Sequence, residues 1–532
     1  MSATATLTRP TAAPQAPAVW RPRANPWAIA LVVTMATFME VLDTSIANVS
    51  LPHIAGNLSA GSDESTWILT SYLVSNAIIL PISGWLSTIM GRKRFYMTCV
   101  ALFTFSSFLC GFAPNLGWLI FFRVLQGLGG GGLAPSEQAI LADTFEPAKR
   151  GIAFAIYGIA VVTAPAVGPT LGGFITDNYN WRWIFFINIP VGLLSLYLTN
   201  RLVEDPPYLR GRQAGRIDYV GLALIAIGLG ALQIVLDKGQ RDDWFGSPFI
   251  VIFTAIAVVG IFAALIWEWN YDLPIIELRL LKSRSFFIST CAMFMLGIVL
   301  FGTTLLLPQM MQELFGYTAQ EAGMVLSPGG VAVIMLLPAV GILISKVDAR
   351  YMIAFGFAVT SIGLFHLSSL TLDINFSQAM WSRVLQASGI AFLFIPIQTV
   401  SYIGMPREKS NSISGISNLA RNIGGSVGIS FVTTFLARRA QYHQSFLSEH
   451  MGMSNSAFRG ALTGTTNTLI HHGAAASSAT HQAYGMLYNT VGRQATFLAY
   501  MDTYWILGVG TALLVPCVFL MKKARATQAA AH

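Results

Sequence analysis

Long apolar runs separated by short charged clusters recur from one end of the chain to the other. A helix needs about 20 apolar residues to cross the hydrocarbon of a bilayer, and these runs are of that length. They predict helices over 27–49, 65–86, 95–113, 117–140, 151–175, 181–200, 216–236, 248–268, 286–310, 321–343, 350–369, 377–400, 412–436 and 498–521. The expected fold class is an all-α polytopic membrane protein with fourteen transmembrane helices.

Composition agrees with the pattern. Hydrophobic residues make up 54% of the 532 and charged residues 11%, against about 25% charged in a soluble domain. The four cysteines, Cys99, Cys110, Cys291 and Cys517, all fall inside predicted spans and read as small apolar core residues. Residues 1–26, rich in Ala, Pro and Thr, read as a disordered cytoplasmic tail. They are not a cleaved leader, because the apolar run that follows is too long.

The net charge of +8 raises the question of nucleic acid, and its distribution answers it. With the N-terminus in the cytoplasm, the tails and cytoplasmic loops hold 22 of the 32 Lys and Arg residues, among them Arg92, Lys93, Arg94, Lys149, Arg150, Arg279, Lys282, Arg284, Lys522 and Lys523. Three more, Arg123, Arg383 and Arg421, lie inside spans, which leaves seven outside. That bias is the positive-inside pattern of an inner-membrane protein with both termini cytoplasmic. It predicts no nucleic-acid partner.

Short motifs recur at nearly constant spacing. Leu51-Pro52 returns as Leu307-Pro308, Leu80-Pro81 to Gly84 as Leu337-Pro338 to Gly341, and Arg123-Val124-Leu125-Gln126 as Arg383-Val384-Leu385-Gln386, at offsets of 256, 257 and 260. The repeat divides the chain into a six-helix bundle over 27–200, a linker over 201–285 holding two inserted helices, a second six-helix bundle over 286–521, and a cytoplasmic tail over 522–532. Parallel six-helix repeats place a substrate site between the halves near the bilayer midplane.

On these residues the sequence resembles the fourteen-helix drug:proton antiporters of the major facilitator superfamily, most closely the EmrB type. Leu42-Asp43-Thr44 through Asn48 to Leu51-Pro52 resembles that branch's first-helix signature. Gly84-Trp85-Leu86 through Gly91-Arg92-Lys93-Arg94 resembles the superfamily's loop 2–3 motif, with Thr88 where an acid is usual. Arg123 to Gly127 resembles the fourth-helix motif. Ala164-Pro165-Ala166-Val167-Gly168-Pro169-Thr170-Leu171-Gly172-Gly173 resembles the fifth-helix antiporter motif, and Trp181 to Pro190 a stretch typical of the branch. The resemblance implies proton-driven export of hydrophobic or amphipathic compounds, with a periplasmic adaptor and an outer-membrane channel as partners.

Glu40 and Asp43 sit three apart in the first predicted span. An intramembrane carboxylate costs about 2.5–3.5 kcal/mol on insertion scales and marks function by default. Asp43 is therefore the expected proton-coupling acid, with Glu40 beside it. At offset 256 their counterparts are Leu296 and Val299, so the second half lacks such acids. Arg123 and Glu137 are placed on one helix about 21 Å apart, with Arg123 as a charge partner or a packing anchor. Gln126, Glu137, Gln138, Gln386, Arg421 and Asn422 are the candidate polar groups of the substrate cavity.

Residues 437–497 read as a long periplasmic loop carrying five histidines whose spacing matches no metal pattern. No Gly-Lys-Ser/Thr signature occurs, so neither ATP-driven transport nor any cofactor or catalytic set is expected. The alternatives are a solute importer or symporter on the same fold, which the run 164–173 disfavours, and a non-transporting receptor or scaffold, which the buried acids disfavour.

Overall fold

The computed structural model describes residues 22–206, 218–449 and 451–521. Most of the expected N-terminal tail, Arg210 and Arg212 in the linker, and Lys522 and Lys523 lie outside the described residues. Among the described residues all regular structure is helical.

The first half comprises α1 (Pro26–Asn57), the one-turn α2 (Ser62–Ser65), α3 (Trp67–Met90), α4 (Arg92–Gly111), α5 (Leu116–Gly130), α6 (Leu133–Thr144), α7 (Pro147–Asn178), the one-turn α8 (Trp183–Phe186) and α9 (Asn188–Leu202). The inserted pair is α10 (Tyr219–Lys238) and α11 (Pro248–Asn270). The second half comprises α12 (Arg284–Phe315), α13 (Ala319–Leu343), α14 (Ala349–Ser368), α15 (Phe376–Ser401), α16 (Ser410–Ser448), α17 (Ser456–His471) and α18 (Ala476–Val518). Local chemistry sets several starts. Asn25 accepts from the Trp27 amide ahead of α1, and Thr318 with Glu321 forms a capping box on α13.

Twelve of these helical spans, with α5 and α6 counted as one and α8 and α9 as another, are long and apolar enough to cross a bilayer. Helix α7 makes a thirteenth as a pair bent by 42° between Pro165 and Val167, where prolines remove backbone donors. The remaining expected span, 412–436, lies on α16, which is long enough but not apolar enough. Its Ser410, Asn411, Ser414, Ser417, Asn418 and Arg421 are buried against other helices. A helix enclosed by protein has no need of an apolar surface, and hydropathy is blind to it.

Burial sorts the helices by position. Only 22% of the most apolar stretch of α11 is buried, against 78% for α15. Helix α11 is thus peripheral and faces the acyl region, while α15 is central. Helix α10 carries α11, the two crossing where Gly228 and Gly260 let the backbones meet. On its other side α10 packs on α3 and reaches α16, with Ser426 donating to Gln233 at 3.0 Å.

The stretch expected as a long loop, 437–497, is mostly helix. Helix α16 continues to Ser448 and α18 begins at Ala476. With 39 and 43 residues, each is about 60 Å long, roughly twice the hydrocarbon thickness. Both project beyond the membrane. Helix α17 packs on the projecting part of α18 through Phe458, Leu462 and Ala483, with Met451, Leu469 and Leu487 around them. At the root of this hairpin, Asp502 of α18 binds Arg439 at 2.5 Å and His443 at 2.7 Å on α16.

Candidate functional site

Two ends of the molecule are distinguished by chemistry: a basic end carrying Arg92–Arg94 and the α3–α4 turn, and the hairpin end carrying α17. Between them, polar side chains inside the apolar bundle form three groups.

The first group surrounds Asp43. Arg123 donates to it at 2.6 Å, Gln126 at 2.9 Å and Asn188 at 2.7 Å. Arg123 also donates to Gln126 at 2.8 Å and to the Ile68 carbonyl at 3.1 Å, and lies 4.3 Å from the centre of the Tyr72 ring. Asp43, Arg123, Gln126 and Asn188 are each 0–2% exposed. A buried ion pair is tolerable only when its remaining hydrogen-bonding capacity is met, and four helices, α1, α3, α5 and α9, contribute to meeting it here. Gln126, expected in the substrate cavity, belongs instead to this sealed network. It is three residues beyond Arg123 on the same face of α5, so the pair approaches Asp43 together.

The second half holds a copy without the acid. Arg383 donates to Gln386 at 2.5 Å and to Thr303 at 3.0 Å, and Gln386 donates to Thr303 at 3.3 Å. Gln386 is therefore also a network residue and not a cavity one. The geometry corrects the repeat register: at the offset of 260 that relates Arg123 to Arg383, Asp43 corresponds to Thr303 and Glu40 to Leu300, not to Val299 and Leu296. The asymmetry in acids is the same in either register.

The second group lies where the halves meet, midway along the helices. Glu40 is half-buried and accepts from Tyr72 at 2.9 Å and Asn76 at 3.2 Å. Asn422 reaches Asn76 at 3.4 Å, and Arg421 donates to Tyr157 at 3.1 Å, with its guanidinium 6.0 Å from the Phe394 ring centre. Glu40 and Asp43 thus have different partners although they are neighbours on α1. Of the six residues expected to line the substrate cavity, Arg421 and Asn422 lie in this group.

The third group closes the basic end. Gln138 and Gln398, equivalent at offset 260, hydrogen-bond to each other across the pseudo-two-fold relation, and Asn418 donates to Gln138 at 2.7 Å. Gly84 packs on the Ser412 backbone, Asn411 bonds Ser87, and Gly151 meets Gly341. A Cβ at Gly341 would press on the Gly151 carbonyl oxygen at 2.9 Å, and one at Gly84 on the Ser412 backbone at 3.1 Å. Gly91 turns the chain between α3 and α4 at φ +83°, a conformation that favours glycine. Arg92 then pairs with Asp143, both 2% exposed, and donates to the Ala139 carbonyl at 3.2 Å. The Lys93 amide donates to Asp205 at 2.8 Å. Asp143 and Asp205 are the acids around this turn, whereas Thr88 only bonds back to Gly84 of its own helix at 3.0 Å.

Glu137 lies beside the midway group, on its basic-end side. It is 0% exposed and accepts from Thr34 at 2.5 Å, so it does not line an open cavity in this conformation. The expected single helix over 117–140 is broken at Gly131-Gly132, so Arg123 and Glu137 do not share one continuous helical face. On α7, Gly168 and Gly172 pack on Ser45 and Ile46 of α1 on the hairpin side, next to Pro165 and Pro169, while Gly173 meets nothing. Asn188, Tyr72, Asn76, Tyr157, Asp143, Gln398 and Asn418 were not singled out by sequence. Asn188 and Gln398 were within reach, the first inside the quoted 181–190 stretch and the second at the repeat offset from Gln138.

Residues 33–429 match the family model described as Major Facilitator Superfamily. The chain is 40% identical over 431 residues to the multidrug export protein EmrB of Escherichia coli (strain K12), covering 80% of this chain and 83% of that one. It is 34% identical over 498 residues to the fatty acid resistance protein FarB of Neisseria gonorrhoeae, covering 93% and 96%. Among solved structures, the proton:xylose symporter XylE matches with a TM-score of 0.60 at 15% identity, covering 95% of this chain and 99% of that one. That last likeness concerns the fold alone.

Proposed function

Because the chain belongs to the major facilitator superfamily, with export proteins as its relatives, we propose that it is a secondary exporter of hydrophobic or amphipathic compounds driven by protons moving the other way. The observation that carries proton coupling is the asymmetry between Asp43 and Thr303. The two halves build the same Arg-Gln cradle, and one of them fills it with a titratable group. Packing alone is served by threonine.

The basic end faces the cytoplasm in this reading, by the positive-inside bias. The polar clasp of Gln138, Gln398 and Asn418 then seals the cytoplasmic side. Substrate enters the midway group, where Tyr157 and Phe394 offer aromatic surface and Glu40, Asn422 and Arg421 offer orientation. Glu40 tunes the response to charged compounds. Protonation of Asp43 releases Arg123 from its partner, and the halves rock about the midway group as the clasp opens. The importer alternative finds no support in relatives described by export and resistance. The testing experiment is flux in proteoliposomes with ethidium and a long-chain fatty acid as probes: an outward-directed transport that needs an inward proton gradient supports this reading, and flux indifferent to the gradient ends it.

Orientation has its own test. In a background without the four native cysteines, a cysteine at Ser456 labels in intact spheroplasts with an impermeant maleimide, and one at Lys93 labels only after lysis. Labelling of position 93 from outside, with 456 protected, inverts the topology.

The hairpin is the docking site for a periplasmic adaptor that leads to an outer-membrane channel, a role resting on the family resemblance and on its projection from the membrane. Replacing 449–475 with a short Gly-Ser linker weakens export from intact cells and leaves proteoliposome flux unchanged. Equal loss in both assays makes the hairpin part of the transport step.

A further inference from the structure

We propose that Glu137 is a second proton-holding site, discharged to the basic end when the two halves separate there; the proposal rests on the proton-coupled reading above. One carboxyl oxygen of Glu137 accepts from Thr34 at 2.5 Å, and the other is buried without a partner. The groups that face it are Thr34, Thr37 and Glu40 on α1, Tyr96 on α4 and Tyr157 on α7, and none is a cation. Arg421 is engaged with the Tyr157 hydroxyl at 3.1 Å. An ionised carboxylate with one hydrogen bond in such surroundings is strongly disfavoured. The acid form is not, so Glu137 carries a proton in this conformation.

The repeat removes the packing explanation. At offset 260 the counterpart of Glu137 is Ile397, itself fully buried. An isoleucine fills the equivalent space, and the carboxyl is an addition to it.

Position supplies the mechanism. The next residue, Gln138, holds the inter-half clasp with Gln398 and Asn418. Opening that clasp brings water to the adjacent side chain, and hydration favours the charged form. The proton leaves Glu137 for water at the basic end. Its replacement arrives from the direction of Glu40, six residues along α1 from Thr34, with Thr37 between them. The three acids thus stand in order, Asp43, Glu40 and Glu137, toward the basic end.

Infrared spectroscopy of the purified full-length protein reads the proton directly. Near neutral pH a protonated-carboxyl carbonyl band is present, is lost in Glu137→Gln and is kept in Asp43→Asn. Thr34→Val removes the Thr34 hydroxyl from the Glu137 carboxyl, so the band shifts in frequency and is not lost. Proton-driven ethidium flux by Glu137→Gln in proteoliposomes falls to the leak of empty vesicles. A band unchanged in Glu137→Gln, or driven flux equal to wild type, overturns the proposal. Wild-type flux that ignores the proton gradient defeats the coupled reading instead, and the infrared comparison still reports the protonation of Glu137.

Discussion

Asp43→Asn abolishes proton-driven export while leaving substrate binding nearly intact. Asparagine keeps the shape of the side chain and one oxygen for the Arg123, Gln126 and Asn188 donors, but it cannot titrate. A carboxyl can take up and release a proton, and an amide cannot. Removing that choice removes the coupling. The proposed substrate contacts, around Arg421 and Tyr157, are not touched by the substitution. The measurement is accumulation of a lipophilic dye against its gradient by purified variants in proteoliposomes. Glu40→Gln is the contrast: a shifted pH dependence or altered preference for cationic compounds, with a smaller loss. Should Asp43→Asn still concentrate dye against its gradient, coupling resides elsewhere.

Arg123→Leu destabilises the protein by about 3–5 kcal/mol, the cost of leaving a buried charge without its partner. The penalty falls on Asp43, which is 2% exposed and retains only the amides of Gln126 and Asn188. The double variant Arg123→Leu/Asp43→Asn regains most of the loss, because no charge is then stranded. A double-mutant cycle on thermal unfolding in detergent measures it. Additive losses in the double variant reject the ion pair as the linked element. The same substitution at Arg383 costs less, since its partners Thr303, Thr304 and Gln386 are neutral and remain satisfiable by one another.

Much of the site was legible because membrane burial makes charge conspicuous. Asp43, Glu40 and Arg123 stand out in apolar runs, and the Arg-Val-Leu-Gln repeat marks both cradles along the chain. The role of Gln126 was less legible. A glutamine in a span reads as a cavity group, and only packing shows that it is spent on Asp43. The hairpin carried a signal that polarity hid. Phe458 and Leu462, and Ala479, Ala483 and Leu487, recur four apart, the spacing of a helical face.

The sequence by itself determined the helical membrane fold, the two-fold repeat with its inserted pair, and the absence of second-half counterparts to Glu40 and Asp43. Each of these depends on composition and spacing along the chain, which the bilayer reads one segment at a time. Only the tertiary structure decided which polar residues meet. Asp43 finds Asn188 from 145 positions away, Gln138 finds Asn418 from 280, and Arg92 takes Asp143 in place of an acid at position 88. It also decided that α16 is a buried polar helix and that 437–497 is a projecting hairpin. The physical reason is that a buried polar group must be satisfied by whatever the packing brings near it, and hydropathy measures only the cost of burying it, never the partner that offsets that cost.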